Sequence, residues 1–261
     1  MDLKIEGRCA LVFAAGGGLG GAIARALAAE GARVAVADID ADTVEQTAEA
    51  IESSGGSAFA CTWDIGDLEV AEGKLARVKE RLGDVEILVN VTGGPPPTPA
   101  GGVAADVWAS HFRSMVLGVI HVTDLVLPAM RAAGWGRVIT STSSGAIAPI
   151  PNLGVSNALR MSLLGWSKTL SREVGGDGVT VNIVVPGRIA TKRIQQLDAA
   201  RAEREGKSVD EVAAASTSTI PLGRYGAPEE YGAAVAFLAG EPASYVTGSV
   251  LRVDGGLIPS V

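Results

Sequence analysis

Two hydrophobic rhythms alternate along the whole of this chain: short apolar runs, and longer stretches with apolar positions three or four apart. The first run, from Ala10 to Ala14, ends in glycines, and Leu19, Ile23 and Leu27 then mark one face of a helix. A strand Arg33–Asp38, a helix over 41–54 stopped by Gly55 and Gly56, and a strand Ser57–Thr62 come next. The pattern then predicts a helix over 68–82 closed by Gly83 and a strand over 86–90. The loop 92–102 carries Pro95, Pro96, Pro97 and Pro99 and reads as extended and stiff. A long helical region over 104–131, a strand over 137–141, a helix over 155–173 and a strand over 179–185 follow. Residues 192–218 are polar and alanine-rich and read as one or two surface helices. Helix Pro228–Ala239, with proline in its first turn, and strand Val250–Val253 complete the series. Repeated strand–helix units predict an α/β, doubly wound Rossmann-type fold, its parallel sheet of about seven strands covered by helices on both faces. No linker or internal repeat divides the chain, so residues 1–261 are expected to form a single domain.

In such a sheet, ligands lie beyond the carboxyl ends of the strands. The stretch Ala14, Gly16, Gly18, Leu19, Gly20 joins the first strand to the first helix. It presents backbone N–H groups and a helix N-terminus to an anion such as a pyrophosphate. A structural turn uses the same glycines, but Asp38 ends the second strand about 20 residues on, where dinucleotide folds hold ribose hydroxyls. A carboxylate there repels a 2′-phosphate, and the next residue, Ile39, is not basic. NAD(H) is therefore expected over NADP(H).

Composition narrows the partners. A net charge of −7 without any long Lys/Arg run counts against nucleic acid. No segment reads as the 18 or so consecutive apolar residues of a membrane span, and the first six residues have no apolar leader. A cytoplasmic protein is the expectation. Cys9 and Cys61 both fall in strands and are expected to be buried thiols, with no metal site.

Taken together, these motifs resemble the short-chain dehydrogenase/reductase family over nearly the full length. Gly18 and Gly20 match the last two glycines of that family's Thr-Gly-x-x-x-Gly-x-Gly, and Asn90-Val91-Thr92-Gly93 resembles its Asn-Asn-Ala-Gly. Asp64, beside Ile65, matches the acid that holds the adenine amino group, while Pro186, Gly187, Ile189 and Thr191 resemble the segment around the nicotinamide amide. Pro221-Leu222-Gly223-Arg224, Pro228-Glu229-Glu230, Tyr245-Val246-Thr247-Gly248 and Val253-Asp254-Gly255-Gly256 match its C-terminal signatures.

The departures concern chemistry. The family's catalytic set is Asn, Ser, Tyr and Lys, with Tyr-x-x-x-Lys thirteen positions after the Ser. Aligning Gly136-Arg137-Val138-Ile139 puts Ser143 on the serine; Ser156 then stands for the tyrosine, Arg160 for the lysine and Met115 for the asparagine. Phe13 and Ala14 replace the Thr and first Gly of the cofactor turn. This pattern, with Thr92-Gly93-Gly94-Pro95, resembles a β-ketoacyl-carrier-protein-reductase-like branch. An alkanol is a far weaker acid than a phenol, and a guanidinium does not titrate near neutrality. Arg160 is expected to face the cofactor, orienting it and stabilising an alkoxide, but not to relay protons.

The resemblance implies an NAD(H)-dependent oxidoreductase for a small-molecule carbonyl/alcohol pair, with Ser143, Ser156 and Arg160 as its catalytic residues. Two other readings stand beside it: a cofactor-binding but silent subunit of a hetero-oligomer, and a lyase resembling halohydrin dehalogenases. A homotetramer through the long helices and last strand is the family's usual assembly. Blander roles stay open for single residues. The other role for Ser143 is to satisfy strand-end backbone groups, that for Ser156 is an N-cap, and His111 and His121 read first as packing or surface residues. None of Tyr225, Tyr231 and Tyr245 is an evident replacement for the missing tyrosine.

Overall fold

The computed structural model describes residues 1–260. Seven strands form one parallel sheet in the order β3-β2-β1-β4-β5-β6-β7. They are β1 (Cys9–Phe13), β2 (Arg33–Asp38), β3 (Ser57–Thr62), β4 (Ile87–Asn90), β5 (Gly136–Ser141), β6 (Val179–Pro186) and β7 (Val250–Val253). The helices are α1 (Gly18–Ala29), α2 (Ala41–Ser53), α3 (Ala71–Leu82), α4 (Ala105–Phe112), α5 (Gly118–Ala133), α6 (Gly154–Val174), α7 (Lys192–Glu205), α8 (Val209–Thr217) and α9 (Pro228–Ala239). Strand order reverses between β1 and β4, the place where a doubly wound sheet opens a crevice.

Side chains on the two faces of the sheet build two cores. On one face, Ile23 and Leu27 of α1, Val44 and Ile51 of α2 and Val235 of α9 pack against Val12, Val34 and Val89. On the other, Val78 of α3, Val119 and Val122 of α5 and Leu163 of α6 pack against Leu11, Leu88 and Val138. Both thiols are free and buried, and burial pushes Cys9 up to about 12. Inert core thiols result.

Two differences from the sequence reading have local causes, and one open alternative is resolved. Helix α3 begins three residues later than expected. Asp64 Oδ1 accepts the Gly66 N–H at 2.8 Å and Asp67 Oδ1 accepts that of Glu69 at 3.2 Å, so side chains hold Leu68 in a turn instead of a helix. Of the one or two helices expected over 192–218, two are present, divided by Gly206 in the left-handed region (φ 64°) and restarted by a Ser208–Glu211 capping box. The long helical region is one run, Ala105–Ala133, interrupted by a π-helical turn at Arg113–Leu117. By length and composition this run reaches what a membrane span needs, contrary to the expectation. Its apolar character is used otherwise: Met115, Val119, Val122, Val126 and Met130 are buried against the sheet.

Candidate active site

The glycine turn is shaped by contacts that no larger residue permits. A Cβ on Gly20 would lie 2.2 Å from the Ala14 carbonyl oxygen, and one on Gly16 would lie 2.2 Å from Thr43 Oγ1. Helix α1 therefore rests directly on the end of β1. Ala14, which replaces a glycine of the motif, keeps a glycine-like backbone at φ 49°. For alanine the left-handed region costs about 1 kcal/mol. Gly17 precedes α1 without any side-chain cap, leaving the first N–H groups of the helix free for an anion.

Asp38 completes the turn. Its Oδ2 accepts the Gly16 N–H at 3.1 Å and its Oδ1 accepts that of Ile39 at 2.7 Å. The carboxylate is thus fixed at the end of β2, beside the highly exposed Ile39. A cavity of about 430 Å³ opens here, lined by Ala14, Asp38, Ile39, Asp64, Ile65 and Thr92, with Gly93, Gly94, His111, Ser114 and Met115 on its far side. Phe13 and Trp63 form one wall edge to face, their ring centroids 4.8 Å apart. Across the cleft, the Thr191 methyl lies 3.9 Å from where a Cβ of Gly18 would sit, so the segment after β6 faces the glycine turn.

Ser143 follows β5, and Ser156 and Arg160 lie in the first two turns of α6. Ser143 accepts the Gly145 N–H at 3.1 Å through its Oγ, which is the strand-end role allowed for it. That bond uses an acceptor site and leaves the hydroxyl proton free to donate. Gly145 in turn abuts Asn157, so the Ser143 turn packs on the α6 turn that carries Ser156. Ser156 is buried within that first turn; Leu153 occupies the N-cap position, which removes the N-cap reading.

Arg160 is buried, and its Nη2 donates to the carbonyls of Thr92 and Gly93, each at 3.0 Å. Its Nη1 reaches the Ser141 carbonyl at 3.5 Å. The guanidinium thus stitches the loops after β4 and β5 together and borders the cavity through Thr92 and Gly93. Burial lowers it to about 10, Tyr231 acts in the opposite sense and Arg193 adds to the lowering, so Arg160 stays charged at neutral pH.

Two expected site residues stand elsewhere. Asn90 is fully buried, and its Nδ2 faces the hydroxyls of Thr123 and Thr140 at 3.4 Å, not the cavity. It braces the end of β4, while its neighbours Val91 and Thr92 form the wall. Ile189 is buried against Gly226, whose Cβ would lie 2.7 Å from Ile189 Cδ1. Pro186 and Gly187 end β6, and Gly187 is pressed against the backbone of Asp254.

All three tyrosines are accounted for outside the cleft. The Tyr231 hydroxyl shares a 2.7 Å hydrogen bond with Ser141 Oγ and donates to the Val184 carbonyl, and burial raises its pKa further above neutrality. Tyr225 donates to Asp198 at 2.6 Å, and Tyr245 is fully exposed. Met115, in the asparagine position, is buried and lines the cavity from the π-helical turn.

Comparison with known proteins decides the family. A family profile described as "Enoyl-(Acyl carrier protein) reductase" matches residues 14–258. The 3-oxoacyl-(acyl-carrier-protein) reductase FabG of Escherichia coli is 34% identical over 258 residues, covering 98% of this chain and 99% of that protein. This chain belongs to the short-chain dehydrogenase/reductase family. Among solved members, L-sorbose reductase from Gluconobacter frateurii, complexed with NADPH and L-sorbose, superposes with a TM-score of 0.94 at 27% identity over all of both chains. A 7α-hydroxysteroid dehydrogenase complexed with NADH and 7-oxo glycochenodeoxycholic acid superposes with a TM-score of 0.88 at 29% identity, covering 98% and 96% of the two chains. The chain is thus an oxidoreductase of a nicotinamide-binding family with both NADH- and NADPH-bound neighbours.

The cradle fits such a cofactor on this chain's own features. Glycines stand where a Cβ would clash, α1 begins without a cap, and Thr92 Oγ1 is buried on the cavity wall without a hydrogen-bond partner among the described residues. Sequence reasoning missed His111, Ser114 and Trp63 as lining residues. The first two are three apart on consecutive turns of the long helix, a spacing that is visible but does not say which face meets the cleft.

Proposed function

We propose that this chain is an NAD(H)-dependent oxidoreductase acting on a small carbonyl/alcohol pair. The observation that carries the reading is the intact cradle: the Gly16–Gly20 turn, the uncapped α1 and the Asp38 carboxylate braced by three backbone N–H groups, those of Gly16, Ile39 and Asp40. Ala14, Gly16, Gly18, Leu19 and Gly20 would hold the pyrophosphate, and Asp38 and Ile39 the adenosine ribose. Asp64 and Ile65 would border the adenine, and Pro186, Gly187 and Thr191 the nicotinamide. No lysine or arginine lines the cavity, so a 2′-phosphate would meet the Asp38 carboxylate uncompensated. This supports NAD(H) over NADP(H).

The bound nicotinamide supplies or accepts the hydride. Ser143 directs its free hydroxyl proton to the substrate oxygen. Arg160 holds a fixed positive charge at the rim, where an alkoxide is stabilised electrostatically. Neither residue stores a proton at neutral pH, so the proton that completes reduction comes from water, and in oxidation returns to it. Ser156 contributes a second hydroxyl. Exposed Phe112, Leu117 and Met161 on the long helix and α6 support a homotetramer built on these helices.

One observation favours a second reading, a cofactor-binding silent subunit: every tyrosine is engaged or exposed away from the cleft. Turnover of a carbonyl panel with NADH separates the two. The oxidoreductase reading expects NADH oxidation that falls by about a factor of 10² in Ser143→Ala, the usual size for one lost oxyanion donor. NADH binding without turnover on any carbonyl supports the silent subunit instead.

A further inference from the structure

Arg160 and Arg193 converge on one spot. A Cβ built on Gly94 would lie 3.7 Å from Arg160 Nη2 and 3.8 Å from Arg193 Nη2. Arg193, from the first turn of α7, reaches the loop after β4, where its Nη2 donates to the Pro95 carbonyl at 2.9 Å. Both guanidinium groups are held by carbonyl oxygens of the same proline-rich loop, and neither pairs with a carboxylate among the described residues. The contrast with Arg188 is direct. That arginine, five residues earlier in the loop before α7, meets the buried Asp198 at 2.9 Å.

Two cations brought together without a counter-ion, one of them only 7% exposed, carry a cost of desolvation and mutual repulsion. The first turn of α7 adds Lys192 and carries no acid, opposite to the preference of a helix dipole. Carbonyl oxygens satisfy some of the N–H donors but leave the charge uncompensated. Arg160 uses three of its five N–H groups in this way, and Arg193 uses one. The remaining donors match the two oxygens of a carboxylate.

Arg160 stands apart from the glycine turn, whereas Arg193, two residues after Thr191, lies on the segment that faces it. The uncapped α1 that would take a pyrophosphate stands at the end of β1. Arg160 lies over the ends of β4 and β5, beside the turn that carries Ser143.

We infer that the substrate is a hydroxy acid or oxo acid whose carboxylate is received by Arg160 and Arg193, next to the carbon that reacts at Ser143. The inference rests on the oxidoreductase reading and names its substrate class. Arg193 is a specificity-determining residue under it. The carboxylate completes the charge of a latch that already joins α7 to the loop after β4, so acid binding and closure of that side of the cleft are coupled.

The test is calorimetric titration of the protein saturated with NAD+. Lactate, 3-hydroxybutanoate and 3-hydroxyhexanoate are each compared with their methyl esters, in wild type, Arg193→Gln and Arg193→Lys. At least one acid is expected to bind about tenfold or more tightly than its ester. That ratio should approach unity in Arg193→Gln and largely return in Arg193→Lys. Arg193 is exposed, so neither variant removes core packing. Equal binding of acids and esters, no binding of any acid, or an unchanged ratio in Arg193→Gln overturns the inference. Loss of NADH affinity in Arg193→Gln with the ratio unchanged assigns the arginines to the cofactor and also overturns it. If wild type binds no NADH, the oxidoreductase reading fails, and the same ratios measured on the cofactor-free protein still decide the carboxylate site.

Discussion

The ends of β1 and β2 and the ends of β4 and β5 have diverged differently. At β1 and β2 the geometry of a dinucleotide cradle is kept even where the residue changed: Ala14 adopts φ 49° in place of a glycine. At β4 and β5 the positions are kept and the chemistry is replaced. By the family resemblance, Ser156, Arg160 and Met115 are expected to stand for a phenol, an ammonium and an amide, and each of the three tyrosines is engaged or exposed elsewhere. A cradle is defined by backbone clearance and one carboxylate, so substitutions that respect the backbone are tolerated. Acid–base catalysis is defined by a titrating group, and neither an alkanol nor a guanidinium supplies one near neutrality. The two halves of one site thus answer to different constraints.

The comparison breaks most severely at the glycines. Gly20→Val places a side chain against the Ala14 carbonyl, 2.2 Å from the built Cβ position. A loss of about 3 kcal/mol in urea-derived stability, together with abolished NADH binding, is the expected outcome. A variant that keeps wild-type stability would mean that α1 does not rest on β1 as described.

Next in size is the attempt to restore the missing chemistry. Ser156→Tyr with Arg160→Lys re-creates the family's proton donor and should raise turnover by about a factor of 10². Its pH–rate profile should also gain a limb that wild type lacks, since burial brings Arg160 only to about 10 and leaves it charged across the neutral range. No gain, with NADH affinity unchanged, would show that the catalytic end differs in shape as well as in residue type.

Asp38→Ala sharpens the cradle side. Removing a carboxylate that organises Gly16, and that would face the ribose of a bound cofactor, should weaken NADH binding by a factor of about 10 or more, and NADPH binding less. An undiminished preference for NADH would place cofactor selection elsewhere.

The smallest effect lies away from the site. Glu230 accepts both Arg224 amino groups and the Ala227 N–H, which holds its carboxyl at about 2, well below its ordinary 4.5. Being depressed in the fold, it contributes stability above about pH 4.5 that is lost as the pH falls towards 2. Glu230→Gln should flatten that part of the urea midpoint's acid dependence.

Much of the fold was legible because the apolar period switches between strand and helix without ambiguity, and β2, β3, β7 and α9 fall where the pattern put them. The start of α3 was not, because Asp64 and Asp67 compete for backbone N–H groups at a range no periodicity records. The cradle residues were readable from glycine spacing and Asp38. Asn90 was misplaced because a motif gives position but not the direction of a side chain, and its amide turns inward to Thr123 and Thr140. Arg193 was invisible in a polar, alanine-rich stretch, since its partner Pro95 is 98 residues away.

The central claim is that the binding half of the site is intact while the catalytic half is altered. Calorimetric titration of the purified protein with NADH and, separately, NADPH tests it most directly. NADH is expected to bind at least about tenfold more tightly than NADPH, with the preference reduced in Asp38→Ala. Failure to bind either nucleotide would contradict the account, because a cradle of this geometry would then have no nicotinamide cofactor to hold.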